Sequence, residues 1–193
     1  MKILKEIVSM AFTFAIVFIV ALGIQRFILQ PFVVDGHSMD YTLADGERLF
    51  MYKLGNVDRF DVVIIEAPNE ADKMYVKRVI GLPGDTVAVE NDQLILNGQA
   101  MEEPYLAQKQ AETSGDFTGA FDLSTITGQT TIPDGYIFVM GDNRQNSLDG
   151  RSFGLIPMES VIGEANLIYW PFNKMGLLQS YELNDAGTAI VTQ

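Results

Sequence analysis

Residues 75–85 read Tyr-Val-Lys-Arg-Val-Ile-Gly-Leu-Pro-Gly-Asp, and this stretch decides the fold. Period-two alternation puts Tyr75, Lys77 and Val79 on one side of an extended strand and Val76, Arg78 and Ile80 on the other. Leu82-Pro83-Gly84-Asp85 then supplies a turn. Runs of the same kind lie on both sides of it: Phe32–Val34, Arg59–Ile65, Met74–Ile80 around the stretch itself, Thr86–Glu90, Gln93–Leu96, Tyr136–Met140 and Ala165–Tyr169. They are rich in Val, Ile, Phe and Tyr, and turn signals such as Asn97-Gly98 and Pro133-Asp134-Gly135 separate them. Helical periodicity is scarce beyond Pro31, so residues 31–193 are expected to form a mostly β domain of antiparallel sheet. Residues 101–131 are less regular and richer in Glu, Gln, Ser, Thr and Gly. They read as a surface excursion long enough to be a small subdomain.

Upstream the pattern is different. Ile7 to Ile24 is eighteen residues without a charge, interrupted by the hydroxyls of Ser9 and Thr13. As a helix it would be about 27 Å long, near the roughly 30 Å of a hydrocarbon core. One transmembrane anchor over 7–26 is expected, with residues 1–6 as a short cytoplasmic N-terminus; Lys2 and Lys5 ahead of the span favour that orientation. The alternative, a cleaved secretory signal ending near Ala21 and Gly23, is disfavoured because the apolar run exceeds the usual core of such signals.

Beyond residue 26 there remain ten basic and twenty-four acidic side chains, a net charge of −14. A surface that tracks phosphates is therefore not expected, and nucleic acid is excluded as a partner. With no cysteine and one histidine, the chain has no thiol nucleophile, no disulfide framework and no zinc site of the common kinds. No metal and no cofactor is expected.

What chemistry remains is set by a few residues. In Asp35-Gly36-His37-Ser38-Met39, Gly36 permits a tight backbone close to Ser38. His37 is adjacent to Ser38 and points to the opposite face of extended backbone, which excludes a Ser-His-Asp triad. A lysine base would have to be held neutral by an apolar site. Lys77, between Tyr75 and Val79 on its face, fits that requirement, although the same pattern describes an ordinary half-exposed strand lysine. The loop Gly141 to Arg151 (GDNRQNSLDGR) has three readings. It is a solvated turn, a cation site built from Asp142, Asn143 and Asp149, or a scaffold in which Arg144 and Arg151 pair with Asp142 and Asp149 while Ser147 holds a lysine amine.

Taken together these segments resemble the type I signal peptidases of Gram-positive bacteria, the membrane-bound Ser-Lys endopeptidases that cut signal peptides from exported preproteins. The resemblance spans nearly the whole chain: the N-terminal anchor, Gly36-His37-Ser38-Met39 with Thr42-Leu43, Arg59-Phe60-Asp61-Val62-Val63, Tyr75 to Asp85, and Gly141 to Arg151 with Gly154 beyond. It implies an antiparallel β-sheet catalytic domain of the signal peptidase type, Ser38 as nucleophile, Lys77 as general base and Ser147 as the hydroxyl that orients Lys77. Gly36, Arg78, Asp142, Arg144, Asp149 and Arg151 become supporting residues. It implies cleavage after small residues of the Ala-x-Ala type. It also implies signal peptides, the lipid bilayer and the secretion translocon as partners, and a catalytic domain on the extracytoplasmic side of the cell membrane.

Three positions depart from the family pattern. Tyr41 stands where proline is usual, so a Tyr41→Pro change is expected to leave activity equal or improved. Gly36 stands where Gram-negative relatives have a serine that donates to the oxyanion, which leaves that task to backbone amides such as that of Ser38. Gly150 replaces a small hydroxyl residue between Asp149 and Arg151. The alternative functions are a membrane-anchored relative that binds extended peptides with weakened catalysis, and a self-cleaving repressor of the Ser-Lys type; the latter would need a DNA-binding module that this acidic, anchored chain does not offer.

Overall fold

The computed structural model describes residues 2–193. The apolar N-terminal run is one helix, α1 (Lys2–Phe27), with no buried residue. Its 26 residues give about 39 Å of helix at 1.5 Å per residue, and it is the one helix among the described residues long and apolar enough to cross a membrane. The Thr13 hydroxyl donates to the Ser9 carbonyl at 3.0 Å, so it is satisfied inside the helix.

Helix α1 passes into strand β1 (Leu29–Val33) through Ile28 alone. Strand β2 (Arg48–Tyr52) pairs with β1 from Leu29↔Tyr52 to Val33↔Arg48. Lys53, the residue after β2, fixes the junction: its amide donates to the Ile28 carbonyl at 2.9 Å and its ammonium to the Arg26 carbonyl at 3.2 Å. A cation at the C-terminal end of a helix also suits the helix dipole.

The chain continues through β3 (Val62–Glu66), β4 (Met74–Gly81), β5 (Val87–Glu90), β6 (Gln93–Leu96) and β7 (Gln99–Met101). Helix α2 (Ala107–Glu112), β8 (Phe121–Asp122) and α3 (Leu123–Thr127) follow, then β9 (Tyr136–Met140), α4 (Gly150–Phe153), β10 (Ile156–Pro157) and β11 (Val161–Trp170). The short strands β12 (Gly176–Leu177), β13 (Tyr181–Leu183) and β14 (Ile190–Thr192) end it. Eight strands make one sheet in the order β1-β2-β11-β3-β4-β9-β10, with β12 on β11; β7-β6-β5-β8 form a second sheet and β13-β14 a hairpin. Every pairing is antiparallel.

Strand β4 is the structural axis. Val76 belongs to one buried cluster with Met39, Leu43, Leu49 and Met51; Val79 to another with Val63, Ile65 and Val139; Ile80 to a third with Phe60, Leu94, Phe138 and Met140. A strand covered on both faces cannot turn its lysine to water. The turn that follows is tied down by Asp85, which accepts from the Leu82 amide at 2.8 Å and from Arg59 Nη2 at 2.6 Å.

The expected strands at β6 and β9 match residue for residue, and β4 extends by one. Strand β2 was not expected. Residues 101–131, expected as an excursion, supply β8 to the second sheet and bury Tyr105, Leu106, Phe117 and Leu123 in the third cluster.

Candidate active site

Lys77 occupies the middle of β4, paired across to Val63 on β3, while its neighbour Arg78 pairs with Met140 on β9. Its side chain is 2% exposed. The amine Nζ lies 2.8 Å from Ser38 Oγ, 3.0 Å from the Val76 carbonyl and 5.1 Å from the centre of the Tyr75 ring. Among the described residues no carboxylate forms a salt bridge with it. Burial pulls the ammonium pKa down from 10.5 to about 8, against the attraction of Asp149 and Asp142, which favours the charged form.

Ser38 sits in the turn that leaves β1. Gly36 enters that turn at φ +96°, a left-handed conformation suited to a residue without Cβ, and donates its amide to Asp45 Oδ1 at 2.8 Å. Met39 and Leu43 plug into the core on either side of the turn. Asn143 grips the Ser38 segment: its amide donates to the Ser38 carbonyl at 2.9 Å and its side-chain amide to the His37 carbonyl at 2.8 Å. The Ser38 amide donates to no group among the described residues. The exposed His37 ring lies beside Asp40, 3.3 Å away, and makes no contact with Ser38 that would serve a triad.

The loop beyond β9 is a buried ionic scaffold. Arg78 forms two bonds to Asp142, at 2.9 and 2.6 Å, donates to the Phe60 carbonyl at 2.8 Å and stacks 4.0 Å from the Tyr105 ring centre. Arg151 grips Asp149 at 2.9 and 2.8 Å, and Asp149 also accepts from the Gly141 amide at 3.0 Å. Burial pushes the Asp149 carboxyl upward, but Arg151 and the Gly141 amide outweigh it and hold the group below the usual range. Both loop carboxylates are thus committed to guanidinium groups, which overturns the solvated-turn and cation-site readings.

Two expectations for this loop need correction. Arg144 does not pair with Asp142. Its guanidinium makes a buried, two-pronged pair with Glu103, donates to the Thr118 hydroxyl at 3.2 Å and to the Gly141 carbonyl at 3.1 Å. Arg78 takes Asp142 instead, because β4 lies directly beneath the loop. Ser147 does not hold Lys77 either: its hydroxyl is buried without a hydrogen-bond partner among the described residues. The Val76 carbonyl takes one hydrogen of the amine in its place. Ser147 is nevertheless close to Ser38, since a Cβ built on Gly141 would run into both the Ser147 side chain and the Ser38 carbonyl.

Tyr41 and Gly150 also differ from expectation. Tyr41 has φ +79°, which a proline ring, fixed near −65°, cannot adopt, so Tyr41→Pro is incompatible with this turn. A Cβ on Gly150 would come within 2.7 Å of the Phe138 ring and 2.8 Å of the Val139 carbonyl, so glycine here is matched to its neighbours. Thr42, whose hydroxyl donates to Asp142, links the Ser38 turn to the scaffold, a role its sequence position does not mark.

A family model described as signal peptidase, peptidase S26, matches residues 6–170. Signal peptidase I of Bacillus licheniformis is 46% identical over 165 residues, covering 81% of this chain and 85% of its own. Signal peptidase I S of Bacillus subtilis (strain 168) is 43% identical over 176 residues, covering 89% and 93%. The crystal structure of a signal peptidase I from Enterococcus faecalis V583 is similar with a TM-score of 0.55 at 38% identity, over 57% of this chain and 97% of that one.

Proposed function

The chain belongs to the signal peptidase family, peptidase S26, and as a serine endopeptidase of that family it removes signal peptides; from this premise we propose that Ser38 is the nucleophile and Lys77 the general base. One observation carries the assignment: the amine of a lysine 2% exposed, without a carboxylate partner among the described residues, stands 2.8 Å from a serine hydroxyl. The neutral amine donates one hydrogen to the Val76 carbonyl, which turns its lone pair towards Ser38. The Ser38 hydroxyl donates to that lone pair and passes its proton to Lys77 as Oγ attacks the scissile carbonyl.

The developing oxyanion is taken by backbone N–H, first that of Ser38, which has no other acceptor among the described residues. The leaving amine then receives the proton from Lys77, an acyl-enzyme remains, and water attacks it by the reverse sequence. The ion pairs of Arg78 with Asp142 and Arg151 with Asp149, together with Asn143, hold the two reacting groups at a fixed separation; Arg144 supports them through Glu103.

Residues 7–26 are the membrane anchor, residues 1–6 lie on the cytoplasmic side, and residues 31–193 form the catalytic domain on the extracytoplasmic side. The flanking Lys2 and Lys5 support this orientation. Enzyme and signal peptide then share one bilayer, which raises their effective concentration without new contacts. Trp170, Phe172, Met175 and Leu177 support a lipid contact, with Phe172 at 72% and Leu177 at 79% exposure. The secretion translocon is the neighbour from which substrates arrive.

The test is preprotein cleavage by the full chain in detergent. Ser38→Ala and Lys77→Ala are each expected to be inactive; wild-type turnover by either removes the dyad.

A further inference from the structure

We propose that Tyr41 is a positioning residue for the nucleophile, held in place by Glu112 of α2; the inference rests on the reading of Ser38 as nucleophile. Tyr41 lies three residues beyond Ser38 at φ +79°, a backbone conformation that bulky side chains avoid. Such a conformation persists where the surroundings impose it. The inner side of the turn is imposed by burial. Met39 and Leu43 are in the core, the Thr42 and Leu43 amides donate to the Met39 carbonyl at 3.0 and 2.8 Å, and the Thr42 hydroxyl is engaged with Asp142.

The outer side has a different restraint. Tyr41 is 46% exposed, so packing does not fix it. Its hydroxyl donates to Glu112 Oε2, and its ring lies 4.8 Å beneath the Lys109 ammonium. Gln108 donates to the other Glu112 oxygen at 3.2 Å and orients the carboxylate. Helix α2 itself buries no residue and is rooted by Tyr105 and Leu106 just before it. It is a strap across the surface whose far end is fastened to the nucleophile turn.

The subdomain formed by residues 101–131 therefore grips the site twice. Glu103 and Thr118 hold Arg144 beneath the charged loop, and Glu112 holds Tyr41 at the corner of the turn that presents Ser38. Loss of the outer grip lets residue 41 relax out of the left-handed region, which moves Ser38 Oγ relative to the fixed Lys77 amine. Because what shifts is the separation of the two reacting groups, the effect is expected on kcat.

The experiment measures preprotein cleavage by the full chain in detergent for Tyr41→Phe, Glu112→Ala, Glu112→Gln and the Tyr41→Phe/Glu112→Ala double variant, with Ser38→Ala alongside. Tyr41→Phe and Glu112→Ala are each expected to lower kcat about three- to tenfold with KM within about twofold and an unchanged unfolding midpoint. The double variant should be no slower than the slower single. Glu112→Gln, which keeps an acceptor, should recover at least half of kcat. Full kcat in Tyr41→Phe, multiplicative losses in the double variant, a loss confined to KM, or a loss that tracks a lowered unfolding midpoint would overturn the tether. Wild-type turnover in Ser38→Ala would instead bring down the nucleophile assignment on which it rests.

Discussion

Replacing Lys77 by methionine should abolish cleavage and yet make the protein more stable at neutral pH. The site holds the lysine pKa at about 8 against an ordinary 10.5 because burial strips water from the ammonium. That difference corresponds to about 3 kcal/mol, the penalty the folded chain bears for keeping the charged form inside. Between the two values the unfolded chain still carries the proton and the folded chain has released it. Wild-type stability therefore climbs as pH rises from about 8 towards 10.5, and the penalty is at its full size below about 8. Methionine fills nearly the same volume and never charges, so it escapes the penalty. It also loses the amine's bonds to Ser38 Oγ and the Val76 carbonyl, worth about 1 kcal/mol each. The net expectation is a gain of about 1–2 kcal/mol at pH 7, vanishing or reversing by pH 10. Unfolding of the full chain in micelles at pH 7 and pH 10, wild type against Lys77→Met, measures both. A variant less stable than wild type at pH 7, or a difference that does not change with pH, would refute the buried-charge reasoning.

Other consequences of the site can be checked as directly. With the neutral amine as the proposed base, kcat/KM should rise with pH through about 8; a profile flat between pH 6 and 9 contradicts this. Lys77→Arg keeps the charge but cannot release a proton in this range, so turnover should fall to background in a cleavage assay. Tyr41→Pro puts a ring fixed near −65° where the turn requires φ +79°, and the expected loss is at least tenfold in kcat/KM, read against wild type at equal concentration. Glu103→Ala strands the buried Arg144 guanidinium; destabilisation of about 3–5 kcal/mol is expected in denaturant unfolding, and a change below about 1 kcal/mol would show the pair to be dispensable.

Pattern reading succeeded where a physical period was visible. Alternation in Tyr75 to Ile80 located β4 and set Lys77 among apolar neighbours, and turn residues bracketed β6 and β9. It failed at β2 because Arg48-Leu49-Phe50-Met51-Tyr52 has four apolar residues in succession, which hides the alternate burial of Leu49 and Met51. The family resemblance pointed to Ser38 and Lys77, which residue pattern alone left open, but the partners of the loop residues could not be read from either. Glu103 and Arg144 are 41 residues apart, a separation that leaves no local mark. The Val76 carbonyl as the group that orients the amine depends on the path of a lysine side chain folding back over its own strand. The left-handed corner at Tyr41 was hidden for a third reason: tyrosine carries no conformational signature of the kind glycine does, and its restraint comes from a helix that buries nothing.

The passage from α1 to β1 through one residue, clamped by Lys53, makes the apolar helix a post instead of a leash. On the proposed reading of α1 as the membrane anchor, so short a mount would keep Ser38 near one height above the bilayer. Under that reading, selection of the scissile bond would be partly a matter of metrology, set by how far a signal peptide's apolar stretch lets its cut site emerge. Loosening the mount with a few flexible residues would blur the choice of bond without touching any group that performs the chemistry.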